Sequence, residues 1–243
     1  MEYGLQLYSV RDITEKDLDA ALGAVAALGY KYVEFAGFFG HSACAVRAML
    51  ERHGLSVSGT HTGVGELTRD VIAETIAYHK AIGNRHIIIP CADFSTREKL
   101  DEVIDVINEA LPVLASEGIQ LSYHNHSHEF LPTSYGANIH HELETRTNIS
   151  FEIDTYWAYA AGLDPIALLD RLGDRVSLIH LKDGLEGGEG RALGEGTAPV
   201  GAVREYAIRH GLLAVVESET CDPTGIEEVG RCMRYLRTLE EQK

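Results

Sequence analysis

From Thr96 to His126 the chain reads TREKLDEVIDVINEALPVLASEGIQLSYHNH. Its first part carries Leu100, Val103, Ile104, Ile107, Leu111 and Leu114 at steps of three and four, the period of a helix with one buried stripe. Pro112 falls within that run and is expected to kink or divide the helix. Gly118 follows, a residue that can take the left-handed conformation that stops a helix. Residues 120–125 then switch to a short β-rich run. One helix, one glycine stop and one strand fit into about 30 residues, the unit from which parallel α/β folds are built.

The unit repeats in both directions. Short β-rich runs are expected at 3–8, 32–35, 56–60, 86–89, 120–125, 150–153, 176–180 and 213–217. Between the first two, residues 16–28 place Leu18, Leu22, Val25 and Leu28 on one helical face, with Thr14 and Asp17 as a capping pair. Gly29, Gly54, Gly83, Gly118, Gly173 and Gly211 each stand just before a strand. Eight strands with helices between them predict a closed (β/α)8 TIM barrel, one domain over residues 1–243. The competing open, doubly wound sheet would carry a Gly-rich phosphate turn after its first strand, where this chain has Tyr8-Ser9-Val10-Arg11-Asp12.

Composition narrows the function. Asp and Glu number 37 against 21 Lys and Arg, a formal charge of −16. That excess argues against nucleic-acid partners, which need a basic face, and against docking on anionic membrane. No apolar run approaches the 18 or so residues of a membrane span. The opening Met1-Glu2-Tyr3-Gly4-Leu5 lacks the basic and apolar regions of a secretory signal. Cys44, Cys91, Cys221 and Cys232 are scattered and read as reduced thiols, so a cytoplasmic location is expected.

In a barrel of this kind chemistry gathers at the C-terminal strand ends, where residues two apart share a face. Strand five offers His124 and His126, strand six Glu152 and Asp154, strand seven His180 and Lys182, strand eight Glu217 and Glu219. The first half offers Gln6, Glu34 and His61. Imidazoles and carboxylates converging from several strands suit one divalent metal ion, with Mn2+ or Co2+ ahead of Zn2+, Fe2+ and Mg2+. Such an ion polarises a carbonyl, and a nearby base removes the proton from the adjacent carbon. The base is Glu217, Glu129 or a strand-five histidine; His124 or His126 can protonate a departing oxygen. Lys182, His61 and Glu34 are expected to orient hydroxyls, and Trp157 and Tyr156 to wall a sugar pocket. His140 and His141 are expected on a solvated helix face, and His41, His53, His79, His86 and His210 in structural places.

Several segments carry a resemblance. They are Gly4-Leu5-Gln6-Leu7-Tyr8-Ser9-Val10-Arg11, Tyr123-His124-Asn125-His126-Ser127-His128-Glu129-Phe130, Phe151-Glu152-Ile153-Asp154-Thr155-Tyr156-Trp157, His180-Leu181-Lys182-Asp183, Leu193-Gly194-Glu195-Gly196 and Val215-Val216-Glu217. Together they resemble the xylose isomerase-like TIM barrel superfamily, in its sugar phosphate isomerase/epimerase branch, which is AP endonuclease family 2-like. The resemblance implies a metal held by Asp154, His180, Glu217 and a fourth residue after strand five. Ser122 stands where ketose 3-epimerase relatives carry a ligating Glu, so Glu129 is expected as the fourth ligand, with His124 or His126 as the fallback. It further implies Gln6 and Glu195 among the substrate-binding groups. The implied activity is isomerisation or epimerisation of a sugar or cyclitol. Inosose dehydratase-like or 3-keto-sugar lyase or hydratase chemistry is the alternative, and a non-catalytic sugar-binding subunit the alternative from another class. The acidic charge disfavours the DNA-repair endonucleases of the superfamily. A homodimer is the default expectation for assembly.

Overall fold

The computed structural model describes residues 1–241; the last two residues of the expected 1–243 domain lie outside the described residues. Eight parallel strands close into a barrel: Gly4–Gln6, Tyr32–Phe35, Ser56–His61, His86–Ile89, Gln120–His124, Ser150–Asp154, Val176–Leu181 and Ala214–Val216. They are called the first to the eighth strand here. The ring shuts where Gly4 pairs with Val215 of the eighth strand and with Tyr32 of the second. Every strand lies between its neighbours in the chain, the order that right-handed strand–helix–strand units impose.

Local chemistry sets the helices around the ring. Asp17 caps Leu18–Leu28 by accepting from Ala20 N, Ser42 caps Ala43–His53, and Thr96 caps Arg97–Ser116. Leu18–Leu28 ends at Gly29, whose φ of 104° lies in the left-handed region that a side chain resists. The helix Arg97–Ser116 runs unbroken through Pro112, contrary to the expected division. Pro112 lies on the exposed face, where water can satisfy the carbonyl that loses its N–H partner. Leu100, Val103, Ile104, Ile107 and Leu114 of that helix are buried against the barrel.

Two barrel registers slip by one residue. Val33 pairs with Val57 but Glu34 with Gly59, and Phe151 pairs with Val176 but Glu152 with Leu178. Each bulge re-aims the side chains that follow it, and each directly precedes a buried glutamate. After the seventh strand, Asp183–Gly184 pairs antiparallel with Gly190–Arg191 to form a small hairpin. The buried carboxylate of Asp183 folds the loop beyond it, accepting from the backbone N–H of Gly184, Gly194, Gly196 and Ala198. Among the described residues, no helix is long and apolar enough to cross a membrane.

Candidate active site and metal centre

The polar residues read from the strand ends meet at the C-terminal mouth, in two layers joined by His180. The outer layer holds His124, Asp154, His180 and Glu217, whose ligand atoms all lie within 4.8 Å of one another. Asp154 is held on both sides. Its backbone N donates to Asn125 Oδ1 and its carbonyl accepts from Asn125 Nδ2, each at 3.1 Å. Its Oδ1 accepts from Trp157 N, capping the helix Thr155–Ala160. Its Oδ2 is buried without a hydrogen-bond partner, 3.7 Å from His124 Nε2.

Both ring nitrogens of His124 are buried and unpartnered. Burial pushes its pKa down, and the nearby His180 and His61 add to the fall. A neutral imidazole with a free lone pair is the form that binds a metal. Burial alone would raise the Glu217 carboxyl, but Lys182 and His180 hold it well below the usual range, so it is ionised. The donor set is therefore imidazole and carboxylate, with the orphaned Asp154 Oδ2 3.7 Å from the orphaned His124 Nε2. It fits a divalent cation.

Lys182 lies over the outer layer. Its Nζ is 2.8 Å from Glu219, 3.3 Å from Glu217 and 3.9 Å from Asp154, and it sits 4.7 Å above the Trp157 ring. Burial opposes its charge, yet Glu217, Asp154 and Glu219 raise its pKa, so it stays an ammonium. Trp157 is partly buried and stands beside His126, with ring centroids 6.0 Å apart.

The inner layer comprises Glu34, His61 and Glu152 with the other edge of His180. Gln6, expected among the substrate-binding groups, and Glu34 and His61, expected to orient hydroxyls, are turned to one another instead. Gln6 Nε2 donates to Glu34 Oε1 at 2.6 Å, and His61 Nε2 lies 3.1 Å from both Glu34 and Glu152.

Several expectations need correction. Glu129 does not join Asp154, His180 and Glu217. It lies in the turn His128–Phe130, where Oε1 accepts from Tyr123 OH at 2.9 Å and Oε2 from His126 N at 2.8 Å. That turn swings it toward His126 and His128, and His124 occupies the fourth corner. Glu195 sits on the surface, paired with Arg231 at 2.7 Å. Tyr156 is fully buried and donates to Leu185 O, so it packs the loop rather than walling a pocket. His140 is buried between the rings of Phe130 and Phe151, while His141 is exposed. Glu152, Glu219 and Asn125 carry site geometry that the strand-end reading left unassigned. The signal for Glu152 and Glu219 was their place two residues from Asp154 and Glu217.

The profile of the xylose isomerase-like TIM barrel family matches residues 22–239. An inosose dehydratase from Geobacillus kaustophilus (strain HTA426) is 24% identical over 189 residues, 68% of this chain and 61% of that protein. The chain thus spans about three fifths of the length of that curated relative. The crystal structure of a sugar phosphate isomerase/epimerase from Parabacteroides distasonis ATCC 8503 is 25% identical, with a TM-score of 0.82 over 97% of each chain. A probable 3-DHS dehydratase from Bacillus anthracis, 13% identical, has a TM-score of 0.77 over 98% of this chain and 99% of that one, a likeness of fold.

Proposed function

The chain belongs to the xylose isomerase-like TIM barrel family, and from that premise we propose that it is a divalent-metal-dependent enzyme. It removes a proton from the carbon beside the carbonyl of a sugar or cyclitol. One observation carries the reading: His124, Asp154, His180 and Glu217 converge while Asp154 Oδ2 and both His124 nitrogens are buried without partners. Unsatisfied polar atoms in a sealed site cost free energy unless a ligand uses them.

Mn2+ or Co2+ suits the mixed donors best, and when bound it supplies Lewis-acid polarisation of a substrate oxygen. The chain's own groups do the rest. Glu217 Oε2 faces Lys182 and His180, which leaves Oε1 to take the proton. Lys182 holds Glu217 ionised and presents an ammonium to the substrate's oxygens. The Trp157 face and the Lys182 stem exclude water from one side. Returning the proton to the neighbouring carbon gives isomerisation, and returning it to the opposite face of the same carbon gives epimerisation.

Dehydration is the second reading, and His126 favours it. This partly exposed imidazole stands beside His124 and Trp157, placed to protonate a leaving hydroxyl. The similarity to an inosose dehydratase supports it. The formal charge of −16 speaks against a DNA substrate and leaves the small-molecule reading in front.

The test is solvent exchange. Mn2+- or Co2+-loaded protein is incubated in D2O with keto-sugars and keto-cyclitols, and deuterium incorporation is followed by NMR. Exchange by the wild type and its loss in Asp154→Ala are expected. Exchange that survives Asp154→Ala, or none with any carbonyl substrate, would overturn the proposal. A water-loss product alongside exchange selects dehydration.

A further inference from the structure

His180 is where the two layers meet. Nδ1 faces outward, 3.3 Å from Glu217. Nε2 faces inward, 2.8 Å from Glu34 Oε1 and 3.2 Å from Glu152 Oε2. A carboxylate oxygen only accepts, so a nitrogen set between two of them carries a proton. The two carboxylates are themselves braced. Gln6 Nε2 donates to Glu34 Oε1, and His61 Nε2 spans Glu34 and Glu152 at 3.1 Å to each. Glu34 and Glu152 are fully buried, and each follows a register slip that turns it into the barrel. Gly59 leaves the room: a Cβ there would lie 3.2 Å from Glu34 Oε2 and 2.4 Å from Ile88 Cδ1.

We infer that Glu34 and Glu152, braced by Gln6 and His61, are positioning residues that fix His180 with its proton on Nε2. Nδ1 is then the nitrogen offered to a divalent cation shared with His124, Asp154 and Glu217. The inference rests on the ligand reading above and assigns the inner layer a task which that reading leaves open. A carboxylate on the far nitrogen fixes the ring's tautomer and orientation and strengthens its donor nitrogen. Glu34 Oε2 and Glu152 Oε1 are also buried without partners, but the Nε2 atoms of His61 and His180 could join them as ligands only by giving up these carboxylate contacts.

Co2+ titration of the purified chain tests this, with affinity and the visible absorption of the bound ion as readouts. The wild type is expected to take up one Co2+. Glu34→Gln and Glu152→Gln are expected to weaken it by roughly 10- to 100-fold and to alter the absorption bands. In Zn2+-loaded wild-type protein with 15N-labelled histidine, NMR is expected to show His180 protonated at Nε2. That measurement needs no variant, so a variant that fails to fold does not remove the test. A proton on Nδ1, two ions per chain, or unchanged affinity and spectra in both variants would overturn the inference. No uptake by the wild type would overturn it together with the enzymatic proposal. Weakened uptake in the variants, without turnover of any carbonyl substrate, would support the inference and remove only the proposal.

Discussion

Two pairs of buried histidines, His61 with His180 and His79 with His140, behave in opposite ways. At the barrel mouth, burial opposes the charge of His61 and His180, yet the carboxylates around them win. Glu34 and Glu152 raise His61 to about 9 and, with no cation bound at Nδ1, hold His180 well above the ordinary range. In the helix layer, burial pushes His79 and His140 down to about 4. His79 meets Thr60 and Asn84, and His140 lies between two phenylalanine rings. All four are little exposed, so the neighbours decide the charge. One region concentrates charge in a sealed space and the other excludes it.

The largest expected effect breaks the mouth. Asp154→Ala or His180→Ala removes one corner of the outer layer and is expected to lose bound Mn2+ or Co2+ and turnover together. Lewis-acid assistance is worth several kcal/mol, so the loss of kcat/KM should be on the order of 10³-fold or more. Metal analysis and kinetics on the same preparation check it. Unchanged metal content would place the ion elsewhere.

A second change turns the mouth against the fold. Glu152→Ala removes the buried carboxylate that the Nε2 atoms of His61 and His180 share inside the barrel. Breaking a buried ion pair costs roughly 3–5 kcal/mol. Urea denaturation at neutral pH should show that loss. A cost below about 1 kcal/mol would mean that water enters and screens the layer.

The helix layer gives a smaller, pH-dependent effect. The unfolded chain protonates His140 near 6.5, whereas the folded chain resists to about 4. Stability from this group is therefore intact above about pH 6.5 and is lost as pH falls toward 4. The full span corresponds to about 3 kcal/mol. His79 follows the same sign over the same window. His140→Phe keeps the ring between Phe130 and Phe151 and removes the titration. Relative to wild type, the variant should gain roughly 2–3 kcal/mol between pH 7 and pH 4.5. Parallel pH profiles for the two proteins would show that His140 is not held neutral.

These contrasts also mark what the sequence could reveal. Strand periodicity exposed the barrel, and spacing by two exposed the strand-end pairs that contain Asp154, His180 and Glu217, from which the family resemblance singled out these three. The choice between Glu129 and His124 depended on the turn at 128–130, whose bonds to Tyr123 and His126 have no periodic signature. The inner layer was hidden for another reason. Glu34, His61 and Glu152 come from the second, third and sixth strands, and they meet only after closure and two register slips set their depth. His140 is buried where a solvated face is expected, because its helix packs that face under Phe130, a contact supplied by the preceding loop.

Glu195 gives the smallest effect and sets the limit of the comparison. Its loop, 193–196, is drawn inward through the backbone, since Gly194 N and Gly196 N donate to Asp183. The side chain points the other way, to Arg231 on the helix Gly225–Glu241. Both partners are partly exposed, and water and salt screen such pairs to about 0–1 kcal/mol. Glu195→Gln should therefore shift stability by less than about 1 kcal/mol and leave kcat/KM unaltered, whereas Asp183→Asn should disturb the loop. A large drop in turnover for Glu195→Gln would mean that the loop turns over when substrate binds, bringing this carboxylate to the mouth and making the divide between buried and exposed carboxylates conditional on ligand.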